Sequence, residues 1–242
     1  MNIDNEVPPT IESLDMLTLQ LFSSLEDEAR NNSEKRLAYF FPTFSSDDSQ
    51  ELIQSPSIQK SNPITVYHSV KTPSDTISFL FWFLNNTNSE LSLFFAVQRI
   101  KFVTLKFVSS FSEEQKIDLA NTILTTLSGF KPGTPRNLVS ELSQSLAYTI
   151  ISGYLCSDVM ADFIDKIILQ VNKDSPNKIV FLQVLNVIIE ELNREIPGNS
   201  IPKKERIVSK FKDSKLKDVF SVSLNALKET INNQGLDSVQ GY

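Results

Sequence analysis

The 242-residue chain predicts an all-α fold, a right-handed α-solenoid of antiparallel helix pairs, and three observations predict it. Apolar residues recur every three or four positions along most of the chain, the signature of one buried helix face. Glycine is scarce, at six residues, and the eleven prolines all fall at inferred helix ends or in loops, where they do not break the hydrogen-bond ladder. Helix pairs begin near Ser89, Pro135 and Pro176, at intervals of 135 − 89 = 46 and 176 − 135 = 41 residues. Those intervals fall in the period of about 40–47 residues of HEAT and armadillo repeats, whose stacked pairs bury their apolar faces against one another. A compact helical bundle is the competing architecture, and it requires no regular interval.

Ile11, Leu14, Leu17 or Thr18, Leu21 and Leu25 predict a first helix from Thr10 to Arg30. A second, from Ser33 to Phe41, carries Leu37, Phe40 and Phe41 on its apolar side and ends at Pro42. Residues 45–75 hold SSDDS, SPS and SNP clusters and read as a loop or insertion, with a weakly alternating Ile64–Val70 as a possible short strand. Ile77–Leu84 is almost wholly apolar, and Trp82 among Phe79, Phe81 and Phe83 reads as core. Ser89–Phe111 forms the next periodic segment. Ser112 with Gln115 fits a capping box ahead of Ile117, Ala120, Ile123, Leu124 and Leu127. Thr134-Pro135 pairs an N-cap with a first-turn proline and opens a helix whose Leu138, Leu142, Leu146 and Ile150 form an i+4 ridge. Ser157 caps a helix with Val159, Met160, Phe163, Ile164, Ile167, Ile168 and Val171 on a broad apolar face. Ser175-Pro176 repeats the cap-and-proline device before Phe181, Leu185, Ile188, Ile189 and Leu192. A last helical region, Pro202 to Asn232, carries Ile207, Phe211, Leu216, Phe220, Leu224, Leu227 and Ile231.

Composition excludes several chemistries. One Cys and one His cannot form an internal disulfide or the usual ligand set of a structural zinc site. A Ser/His/Asp triad would depend on His68, which stands in the irregular stretch with nothing placed to orient it. Gly129 and Gly133 lie in neither GxGxxG nor GxxxxGK[ST]. Cys156, with no second thiol or base nearby, reads as a buried structural thiol. Glu190 and Glu191 are adjacent and diverge on a helix, so they make a poor acid/base dyad. The expectation is no enzyme and no cofactor. MNIDNEVPPT has no basic or apolar region of a secretory signal, and Arg99, Lys101 and Lys106 interrupt the apolar Leu91–Phe111 stretch, so the chain reads as soluble and intracellular.

The net charge of −6 is uneven. Residues 1–60 carry eleven acids and four bases, and a basic cluster stands near the other end: Lys203, Lys204, Arg206, Lys210 and Lys212, continuing to Lys215 and Lys217. Such a patch attracts phosphate or an acidic partner, although an ordinary solvated helix face looks the same. No aromatic row or nucleic-acid motif accompanies it, so no direct nucleic-acid partner is expected.

ELSLFFAVQRIKFVTLKFVSSFSEEQKIDLANTILTTL (Glu90–Leu127) resembles the importin-β (karyopherin-β) superfamily of nuclear transport receptors. Phe94-Phe95-Ala96-Val97-Gln98 and Lys101-Phe102 are similar to the family's early "xFFAAQxLxxKI" helix, and Ile117-Asp118-Leu119 with Ile123-Leu124 to the helix that follows. Leu138–Ile151 resembles the next helix. Val180–Asn193 and the basic PKKERIVSKFKDS resemble the transportin-SR branch. The family's Trp late in the first repeat has no counterpart in SEKRLAYFFPTF.

The resemblance implies that residues 1–242 are a single N-terminal HEAT-repeat segment of a longer receptor. It implies binding of the small GTPase Ran in its GTP form, protein cargo (Ser/Arg-rich splicing factors among the possibilities), nucleoporin Phe-Gly repeats, and shuttling between cytoplasm and nucleus, with import favoured over export. Acids facing basic Ran surface would be Glu113, Glu114 and Asp118 on one helix and Asp158, Asp162 and Asp165, spaced i, i+4, i+7, on another. The alternative function is a helical-repeat scaffold for protein partners unrelated to nuclear transport.

Overall fold

The computed structural model of the chain describes residues 9–42, 72–131, 133–173, 177–194 and 201–239. They are all-helical, with no strand among the described residues, and ten α-helices pack against their neighbours as an α-helical repeat requires. Two compact units result, Met1–Phe107 and Val108–Tyr242.

In the first unit, α1 (Ile11–Ser23) packs on α2 (Asp27–Phe40) and on α4 (Glu90–Phe107), and α3 (Pro73–Asn86) packs on α4. The expected single helix from Thr10 to Arg30 is instead broken. Ser24 turns to extended backbone, its hydroxyl accepts the Glu26 N–H at 3.2 Å, and Leu25 is 98% exposed rather than part of the buried stripe. A serine that bonds its own local backbone offers the chain an alternative to continuing the helix. Leu14, Leu17 and Thr18 are the buried face of α1.

Phe41, just past α2, is fully buried against Phe79 and Phe83, with ring centroids 5.0 and 5.9 Å away, and its carbonyl accepts from Arg99 Nη2 at 2.9 Å. Across α1 and α4, Thr18 Oγ1 and Ser92 Oγ lie 2.6 Å apart in a fully buried site. Thr72 caps α3 reciprocally with Asp75, and Pro73 takes the first helical position, so residues 73–75 of the expected irregular stretch belong to α3. The rest of that stretch to residue 71, with the Ile64–Val70 strand and His68, lies outside the described residues. Trp82 is only partly buried and stacks on Phe79 at 5.2 Å, whereas Phe79, Phe81 and Phe83 are core.

The second unit opens with a 3₁₀ turn (Val108–Ser110) and continues through α5 (Glu113–Gly129), α6 (Arg136–Gly153), α7 (Asp158–Asn172), α8 (Lys178–Asn193), α9 (Ile201–Ser214) and α10 (Leu216–Val239). The capping boxes and caps at Ser112 and Ser157 form as their residues dictate. Thr134 does not cap α6. Its hydroxyl turns back to the Lys131 carbonyl at 2.9 Å, and Pro135 itself takes the cap position. Ser175-Pro176 lies outside the described residues, and α8 starts after Asn177.

Helix α6 is the centre of this unit, in contact with α5, α7 and α8. Its Leu138, Leu142, Leu146 and Ile150 ridge is wholly buried, worth about 1.5–3 kcal/mol per side chain. Ser143, Ser145 and Thr149 are buried in the same helix and are satisfied by the carbonyls four residues back, at 2.6–3.0 Å. The anticipated Pro202–Asn232 helix is two helices meeting at Lys215.

Candidate functional site

The sequence placed an acidic row on one helix and a basic cluster on another as separate features. The structure brings them together. Lys210 Nζ lies 3.3 Å from Asp158 Oδ1 and donates to the Tyr154 carbonyl at 3.1 Å, and Lys215 Nζ pairs with Asp165 Oδ2 at 2.5 Å. Lys210 also stands over the Tyr154 ring at 5.4 Å. Asp162, between the paired acids, is exposed. Two members of the acidic row therefore have a lysine of their own unit within ion-pair distance, with side chains 97% (Asp158) and 51% (Asp165) exposed.

The rest of the basic cluster divides. Lys204 donates to the Asn193 carbonyl at 3.1 Å, which neutralises the carbonyl end of α8. Lys204 and Lys212, with Leu192, Ile201, Glu205 and Val208, line an open cleft of about 430 Å³. Lys203 is half-buried and Arg206 exposed. Lys116, whose pKa is lowered first by desolvation, feels Lys203 as a further lowering charge, with Cys156 and Glu113 opposing.

Glu113, Glu114 and Asp118 stand exposed at the start of α5. Glu113 and Glu114 fall in its first turn, where the helix dipole favours negative charge whatever else they do. Cys156 is exposed, not buried, because the three-residue turn between α6 and α7 carries it outward while Tyr154 and Ser157 fill the interior.

Glu190 and Glu191 diverge as adjacency requires. Glu190 is exposed and accepts from Asn186 at 2.8 Å. Glu191, however, is 1% exposed, a buried carboxylate held by Arg194 Nη1 at 3.1 Å, with the Tyr148 phenol close enough to feel its charge. Desolvation, then the Glu191 charge and hydrogen bond, push the Tyr148 phenol up to about 12. This network went unread in the sequence, although a signal existed: Glu191 falls three residues after Ile188 and seven after Val184, inside the buried stripe of α8.

Among the described residues no three His, Cys, Asp or Glu side chains group as metal ligands, and no helix is long and apolar enough to cross a membrane. No family model, curated protein or solved structure matches the chain.

What the surface does offer is apolar. On α10, Val219, Val222 and Ala226 are buried, while Leu216, Phe220, Leu224, Leu227 and Ile231, expected as the buried stripe, are exposed. At 100° per residue the five occupy an arc of about 80° beside the buried one, so α10 has apolar sides in two directions and is covered on one. Helix α1 does the same on a smaller scale, with Met16, Leu19 and Phe22 exposed.

Proposed function

We propose that this chain is a non-catalytic helical-repeat scaffold that binds other proteins. The observation that carries the reading is the outer face of α10, where Phe220 is 66% exposed in the middle of four further large apolar side chains. A contiguous apolar row on a folded surface marks a docking face, because leaving it in water forgoes burial worth about 25 cal/mol per Å². The test is protein capture from lysate with the wild-type chain and with Phe220→Glu/Leu227→Glu. Loss of the captured set with helical circular dichroism preserved is expected, and capture unchanged by the substitutions removes the reading.

A second, narrower reading is the nuclear transport receptor segment that binds Ran-GTP and cargo and meets nucleoporin Phe-Gly repeats while shuttling between cytoplasm and nucleus. The exposed Glu113, Glu114 and Asp118 on α5 favour it, as do helix starts at Glu90, Arg136 and Lys178, spaced 136 − 90 = 46 and 178 − 136 = 42 residues. Asp158 and Asp165 support it less, being paired within the unit. Pull-down against Ran loaded with GTP and with GDP decides it. Preference for the GTP form that weakens in Glu114→Lys/Asp118→Lys is expected, and equal binding removes this reading while leaving the first.

A further inference from the structure

The exposed apolar rows on α1 and α10 differ in the charges at their ends. On α10, Lys217 and Lys228 flank the row on the same edge, 228 − 217 = 11 residues apart, or about 16 Å along the helix axis. Both are exposed, and neither takes part in an ion pair among the described residues. On α1, Glu12 stands one turn before Met16 on the same side, and Glu26 stands just past the helix end, both exposed. The surrounding segments carry the same contrast. Residues 9–42 hold six acids and three bases, a net of −3, and residues 201–231 hold eight bases and four acids, a net of +4.

We infer that the α10 face of one molecule docks the α1 face of a second copy, an unlike-face, head-to-tail contact. The inference rests on the reading of α10 as a protein-binding face and names its occupant. Apolar rows supply the attraction on both sides, and Glu12 and Glu26 meet Lys217 and Lys228. Like-face pairing is disfavoured, since α10 on α10 sets lysines against lysines and α1 on α1 sets glutamates against glutamates. The five α10 side chains, about half exposed, present on the order of 400 Å², which with the flanking polar rim approaches the roughly 800 Å² per partner of a stable contact. Because the two faces are different, each molecule retains one free face after the first contact, and that face either closes the contact reciprocally or takes up a further copy.

Sedimentation velocity on the full chain tests this, with Met16→Glu/Leu19→Glu disabling the α1 face and Phe220→Glu/Leu227→Glu disabling the α10 face. The wild type should rise above 27.3 kDa with concentration and fall back as salt screens the charges. Each variant alone should stay at the chain mass. An equimolar mixture of the two should form a species of twice 27.3 kDa and stop there, because only one intact pair of unlike faces remains. Self-association that survives in the α1-face variant alone overturns the unlike-face contact, and so does a mixture that stays monomeric. A wild type monomeric at every concentration overturns it too, while capture of other proteins by the α10 face would still stand. Circular dichroism on each variant confirms that the helices persist.

Discussion

The Lys210 ammonium sits between two acceptors, the Asp158 carboxylate at 3.3 Å and the Tyr154 carbonyl at 3.1 Å, and so ties α9 to the turn that separates α6 from α7. Two charges that look in sequence like offers to outside partners thus also form a pair within the unit, one that leaves the Asp158 side chain 97% exposed. A second ion pair, Lys215 with Asp165, lies 165 − 158 = 7 residues further along α7.

The two acceptors should contribute unequally. Asp158 has a side chain 97% exposed, so its ion pair is worth at most about 1 kcal/mol, and Asp158→Asn should lower unfolding stability by less than that. Lys210→Ala also strips a partner from the half-buried Tyr154 carbonyl and should cost about 1 kcal/mol more. Urea titration of the two variants compares them, and equal losses would show that the carbonyl contact is idle.

In the first unit, Thr18 and Ser92 form a pair of hydroxyls with no exposed surface, Thr18 donating to the Asp15 carbonyl at 2.9 Å and so accepting from Ser92. Ser92→Ala should cost about 1–3 kcal/mol by leaving Thr18 with one fewer partner, and Thr18→Val a similar amount. The double variant Thr18→Val/Ser92→Ala should lose much less than the sum of the two. A strictly additive double-mutant cycle from thermal melts would falsify the coupling.

Gly153 ends α6 where α7 passes closest. A Cβ built there would lie 2.7 Å from Met160 Cγ and 3.4 Å from Met160 Cβ, and Met160 is fully buried. Gly153→Ala should therefore destabilise by about 1–3 kcal/mol through overpacking. Met160→Ala on the same background should recover part of that loss even though it is a damaging change on its own. If Gly153→Ala proves neutral, the helices have room to separate and the close approach is not a constraint.

Tyr148 should make the second unit's stability fall at alkaline pH. Its phenol is raised to about 12 in the folded state, above the ordinary value of about 10, so the folded form holds the proton after the unfolded form has released it. Its stabilising contribution is complete below about pH 10 and is lost as pH climbs toward 12. Chemical denaturation at about pH 9 and about pH 11 should show a fall that is smaller in Tyr148→Phe. An identical fall in the variant assigns the alkaline loss to other groups.

What could be read from the sequence was local. The Ser112–Gln115 box and the Ser157 cap form because their partners are three residues away, and the Leu138–Ile150 ridge is buried because it admits one reading. Where a helix has two apolar arcs, periodicity does not say which is covered. On α10 the buried side went to the small Val219, Val222 and Ala226, and the larger residues were left outside. The site was less legible than the fold. Lys210 and Asp158 stand 52 residues apart, and Lys215 and Asp165 stand 50 apart, separations at which no spacing rule operates. The break after α1 accompanies a local Ser24 hydroxyl contact that composition treats as neutral.

The central place of α6 has a consequence in time. Its residues are complete at Gly153, yet α8, on which it packs most extensively, ends at Asn193, 193 − 153 = 40 residues later. At a synthesis rate of about 5–20 residues per second, α6 waits roughly 2–8 s for that neighbour, although α5 is already made. Through that interval the side of α6 that meets α8 is open to whatever else the cell presents, and a ribosome pause between residues 153 and 193 lengthens the exposure.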